Sequence, residues 1–236
     1  MNPATTKLKF GWYASMALTL LTIITFGFAM IAIPPAGPYC PADCMEYPYA
    51  DLLNYYPRDY YWMYLAVFQL FAFIIFIVSI HNNAPAEKKI FSSSGVVFAL
   101  ISVIVLLADY FIQFAVVPVS VMKGETEGIS LLTQYNGHGI FIALEELGYF
   151  TMSISLFFIA PVFPPVKGLN QSIRLVLLIP FVLNVLSFIF YSIRYGIDRS
   201  YRFEVASITI DWLFLIAAGI LVAVWYKRII RKSRRD

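Results

Sequence analysis

The residues from Tyr61 to Ile80, YWMYLAVFQLFAFIIFIVSI, contain no charged side chain. An α-helix of about 20 apolar residues, rising 1.5 Å per residue, crosses the roughly 30 Å hydrocarbon core of a bilayer. With no charge on any face, such a helix has nothing to offer water, so the stretch reads as a transmembrane span. Five more stretches of similar length and character lie at Phe10–Ile33, Ser94–Val117, Gly139–Val162, Ile173–Ile193 and Val205–Tyr226. The chain as a whole is 60% apolar and 13% charged, against about a quarter charged in a soluble domain. The expected fold is all-α: a polytopic membrane protein forming one transmembrane domain over 1–236, a bundle of six helices. Lys7 and Lys9 precede the first span, whose apolar run exceeds the roughly 7 to 15 residues of a secretory signal, so it reads as a retained anchor.

Working outward from the spans, the connections set the orientation. Basic residues near span ends stay preferentially in the cytoplasm. Twelve of the Lys and Arg residues fall on the side of the termini, and five, Arg58, Lys123, Arg194, Arg199 and Arg202, fall on the other. Both termini are therefore expected in the cytoplasm of a cell-membrane protein, with 34–60 as an extracytoplasmic loop. The two cysteines, Cys40 and Cys44, sit in that loop, where an oxidising compartment predicts a small disulfide; no neighbouring residues complete a zinc set. The basic tail 227–236 suits anionic lipid headgroups and the topogenic rule, with no nucleic-acid role. The Tyr- and Pro-rich loop predicts either an interfacial aromatic belt or a short helix through Leu52 and Leu53 over the bundle mouth.

Ionisable groups inside a span cost about 2.5 to 3.5 kcal/mol each on insertion scales, so Asp109, Glu145, Glu146 and Asp211 need a reason to be there. Measured from the outer span ends, these and Gln113 and Asn184 all lie within about 15 Å of the outer surface. Such one-sidedness predicts an outward-facing acidic cavity or a buried polar network. Asn184, Ser187, Tyr191 and Arg194 recur at helical spacing as one stripe, and His138, Glu145, Tyr149 and Met152 share a face. The candidate ligand- or cation-binding set is Asp109, Gln113, His138, Glu145, Glu146, Asn184, Tyr191, Arg194 and Asp211. Asp109, Glu145 and Asp211 are expected to approach one another, with Asn184 and Arg194 on the wall.

Three function classes follow. One is binding of a cation or small ligand linked to transport or sensing, with oligomerisation as a route to a complete pathway. A second is a structural or accessory membrane protein whose polar belt packs its helices. A third is an intramembrane enzyme using paired carboxyls on a lipid-like substrate. Two histidines on opposite sides of the membrane argue against bis-histidine haem, and the absence of a lysine deep in a span argues against retinal.

Overall fold

The structure, a computed structural model, describes residues 3–32 and 35–233. Ile33, the end of the first expected span, and Arg234, Arg235 and Asp236 of the basic tail lie outside the described residues. Six long helices carry the chain: α1 (Pro3–Ile31), α2 (Tyr61–Asn82), α3 (Lys89–Ala115), α6 (Ile140–Ile159), α7 (Leu169–Tyr195) and α8 (Arg202–Lys232). Two short ones, α4 (Val117–Met122) and α5 (Ile129–Leu132), lie between α3 and α6. All six long helices are apolar and long enough to cross a membrane. The helices outrun several of the expected spans, notably at the start of α3 and at both ends of α8. Hydropathy marks only the lipid-immersed part, whereas backbone hydrogen bonding continues into the polar flanks.

Each long helix packs on the next around a closed ring, α1 on α2, α2 on α3, α3 on α6, α6 on α7, α7 on α8 and α8 back on α1, with α6 and α8 also touching across it. Small residues allow the closest approaches. A Cβ on Gly11 or Gly219 of one helix in the α1/α8 pair would collide with Tyr226 or Thr19 of the other, the small-residue contact that drives helix association where lipid supplies no hydrophobic force. The pairs Gly11 with Tyr226, Thr19 with Gly219 and Phe26 with Trp212 run in opposite directions along the two chains, so α1 and α8 are antiparallel and both termini share one face. Likewise Gly95 meets Ile159 and Gly148 meets Leu106, which fixes the antiparallel register of α3 on α6. Ser155 seals that seam by donating to the carbonyl of Gly95 at 2.7 Å.

The face opposite the termini carries a cap. Pro118, at the start of α4, has no N–H to continue the α3 ladder, and the chain turns at Val116 before α4 begins. The loop 35–60 folds against α4 and α5 through short turns at Gly37–Tyr39, Ala50–Tyr55 and Arg58–Tyr60. Leu52 anchors this cap in a small apolar core with Ala36, Met45, Val117, Ile129 and Tyr135, separate from the core of the bundle. The expected short helix over the bundle mouth is thus a tight helical turn with Leu52 buried beneath it. Cys40 and Cys44 are joined as a disulfide in the same loop.

Candidate functional site

Register brings the carboxyls together. Leu106 faces Gly148, so one turn toward the cap, Asp109 on α3 lies level with Glu145 on α6. Both are buried, Asp109 at 1% and Glu145 at 0% exposure. Glu145 Oε1 accepts from the Tyr110 hydroxyl at 2.9 Å, and Tyr110 in turn meets the Tyr149 hydroxyl at 2.7 Å. The third member of the cluster is Glu204, in the first turn of α8, which lies within hydrogen-bonding reach of Glu145 and within electrostatic range of Asp109. Asp109 Oδ2, Glu145 Oε2 and Glu204 Oε2 are buried and meet no donor group. An ionised carboxylate only accepts hydrogen bonds, so such a cluster is completed by shared protons or by a donor from outside.

Glu145 and Glu204 reach the wall of a cavity of about 330 Å³ beneath the cap. Its floor is an aromatic box. Trp212 lies edge-on to Trp62, Tyr149 and Phe26 at centroid distances of 6.2, 6.1 and 5.6 Å, and Trp62 meets Tyr110 at 5.5 Å. The roof comes from the loops, through Tyr39, Asp59, Gln134, Tyr135 and Tyr201. Among the described residues, no lysine, arginine or histidine lines the cavity. Asp59 is already engaged, since it pairs with Arg58 at 2.6 Å and accepts from Tyr135 at 3.4 Å. Among the acids that line the cavity, those with an oxygen that meets no donor are therefore Glu145 and Glu204.

Tyr201 closes the roof from a strained turn in which Ser200 and Tyr201 both have positive φ, 24° and 59°. Its ring occupies the space that a side chain at Gly37 or Gly137 would fill. Its hydroxyl donates to the Gln134 carbonyl at 3.2 Å. Burial, with Tyr49 and Glu204 nearby, pushes the Tyr201 phenol well above its ordinary value, and burial beside Tyr60 and Asp59 does the same to Tyr135. Both phenols therefore stay neutral donors through the physiological range.

The other candidate residues occupy three places. Asn184 and Asp211 are fully buried together, with Asn184 Nδ2 donating to Asp211 Oδ1 at 3.0 Å, which ties α7 to α8. Neither lines the cavity. Gln113 is also buried but serves the cap: its amide donates to the Leu132 carbonyl and accepts from the Gln134 N–H. The remaining four lie toward the surface. Glu146 pairs with Arg199 at 3.2 Å, and that guanidinium sits 4.8 Å over the Phe188 ring. Tyr191 stacks with Tyr195, Arg194 is exposed over the same Tyr195 ring at 5.3 Å, and His138 is exposed in the loop before α6. Arg194 thus stands away from the carboxyl cluster instead of on its wall.

Hydropathy starts the sixth span at Val205, just beyond Glu204, and so leaves this acid out of the span carboxyls. A usable signal was present: Glu204 and Asp211 are seven residues apart, nearly two turns, and share a helix face. Asp59, Trp62 and Tyr201 carried no comparable signal, because loop packing alone brings them to the cavity. No family model matches the chain, and neither a curated protein nor a solved structure shows significant similarity to it.

Proposed function

We propose that this protein binds a small organic ammonium ion, an N–H-bearing cation on an apolar body, in the cavity beneath the cap, as the recognition step of transport or sensing. The observation that carries the reading is the pair Glu145 and Glu204, whose Oε2 atoms are buried without a donor and whose side chains line a largely apolar cavity that has no basic group among the described residues. An ammonium supplies both missing items, the N–H donors and the positive charge, while Trp62, Trp212 and Tyr201 offer faces for cation–π contact with its body. A hard divalent cation would want six or more oxygen ligands, and no group of three His, Cys, Asp or Glu residues among those described has a metal-binding arrangement. A purely structural network would complete the same cluster with protons shared between Glu145 and Glu204, and it is the alternative that the test below separates from ligand binding.

In this reading the termini are cytoplasmic and the cap is extracytoplasmic. The lysine and arginine distribution and the disulfide in the cap loop support that orientation. The ligand would then enter from outside the cell membrane.

The test compares 2-phenylethylammonium with propylbenzene, a neutral molecule of the same shape, on detergent-purified protein by quenching of intrinsic tryptophan fluorescence. The expected result is saturable binding of the ammonium, little binding of the hydrocarbon, and a loss of ammonium affinity of more than about tenfold in Glu204→Gln, since a desolvated ion pair has lost one partner. Equal binding of both compounds, unaffected by Glu204→Gln, would make the cavity an apolar slot and the carboxyls structural.

A further inference from the structure

On the face that carries the termini, a groove of about 670 Å³ opens between the α6–α7 connection and the end of α8. Lys167 stands on one wall and Arg228 and Lys232 on the other, with no acidic residue in the lining among the described residues. None of these three cations joins an ion pair among the described residues. Leu169, Ile229 and Trp225 supply an apolar flank, and Trp225 is held edge-on to Phe163 at 5.4 Å. The start of α7 also borders the groove through Gly168, Leu169 and Asn170. That helix has no side-chain cap and no acid in its first turn, so its N-terminal dipole adds to the attraction for an anion without a competing internal one.

We propose that this groove is a binding site for the phosphodiester headgroup of an anionic membrane lipid. Three cations without an ion pair among the described residues converge on a volume that also touches Leu169 on one membrane-spanning helix and Trp225 and Ile229 on another. A phosphate held there leaves its acyl chains free to lie along Leu169 and Ile229, which a soluble phosphate cannot exploit. Basic pockets at the membrane-facing ends of helices are a recurrent way of holding anionic headgroups, because each cation near such a surface attracts them even before direct contact. The site lies on the opposite face from the ammonium cavity and stands independently of it. It narrows the general attraction of a basic tail to one place: Arg228 and Lys232 face the groove, while Lys227 and Arg231 on the same helix end do not line it.

That division supplies the experiment. Protein carrying Trp12→Phe, so that Trp225 is the tryptophan nearest this face, is reconstituted in phosphatidylcholine vesicles, and quenching by brominated phosphatidylglycerol is compared with quenching by brominated phosphatidylcholine. The expected preference for phosphatidylglycerol is about tenfold. It falls toward parity in Arg228→Gln/Lys232→Gln and falls partway in Lys167→Gln on the facing wall. It stays in Lys227→Gln/Arg231→Gln, which removes the same charge from the same helix end. Equal losses in the two double variants would overturn the site in favour of diffuse surface charge. Loss of the preference on adding inorganic phosphate, but not chloride at matched ionic strength, would assign the groove to a soluble phosphate compound instead. Lys167→Gln keeps the test open if the lining pair fails to fold.

Discussion

Tyr201 shows how much one residue can carry in this molecule. Its ring roofs the cavity beneath the cap because Gly37 and Gly137 leave no Cβ in its way, and the left-handed turn at Ser200 and Tyr201 aims it there. At Gly37 the backbone itself needs positive φ, 72°, so a substitution there mixes strain with crowding. Gly137 has no such requirement, which makes it the cleaner probe. Gly137→Ala should push its methyl into Ser200 and the Tyr201 ring and destabilise the roof by about 1 to 3 kcal/mol, the usual cost of overpacking. A fluorescence titration with 2-phenylethylammonium should then show faster dissociation and weaker binding, while Gly124→Ala, in open space at the tip of the loop after α4, changes only its own backbone strain. Unchanged dissociation in Gly137→Ala would mean that Tyr201 does not hold the ligand in. Residue identity alone did not reveal this role. A tyrosine between two short connections reads as one more interfacial aromatic, and the two glycines that receive it come from distant loops.

Among the long helices, α7 is the least buried in the ring. Much of its apolar surface faces away from the ring, with Leu186, Phe190 and Ile193 strongly exposed, and only Ile173, Leu177, Pro180 and Asn184 are buried along it. The Asn184–Asp211 hydrogen bond at 3.0 Å is the polar tie across its seam with α8. Asn184→Leu should therefore cost about 1 to 3 kcal/mol, because it strips Asp211, in a buried site, of its one hydrogen-bond donor among the described residues. Asp211→Leu leaves the Asn184 amide unpaired for a similar cost, and the double variant should recover much of it, since two apolar groups replace a polar pair. Melting curves of the four proteins in one detergent close the cycle; strict additivity would show that the pair is not coupled. The stripe from Asn184 through Ser187 and Tyr191 to Arg194 was legible in the sequence as a face of one helix. What the spacing could not supply was where that face leaves the bundle. It does so above Asn184, where Arg194 is exposed at the surface over Tyr195. The spans themselves were easily read, since a membrane crossing needs a long charge-free run, and the depth of Asp109 and Glu145 on α3 and α6 followed from counting along them.

For the molecule as a whole, a ring of six helices forms the base and the cap, with an apolar core of its own, is seated on it. The cavity lies between them: Trp62, Glu145 and Trp212 belong to the ring, and Tyr39 and Tyr135 to the cap. The cap has its own apolar core around Leu52 and is tied to α3 by the hydrogen bonds of Gln113 to the segment after α5. This two-body arrangement was legible only in part, because the Tyr- and Pro-rich loop suggested a lid but nothing in its composition announced that the α4–α5 segment would complete it. Separate cores predict separate opening. Leu52→Ala should remove about 2 to 5 kcal/mol from the cap, the usual range for truncating a fully buried leucine, while the ring keeps its own packing. Hydrogen exchange should accelerate across 35–60 and 117–139 and remain slow in α2 and α6, and ammonium affinity should fall with the melting temperature of the ring almost unchanged. A uniform acceleration through α2 and α6 would show instead that cap and ring unfold as one cooperative unit, in which case the ligand could enter only by a path between the helices and not by opening of the cap.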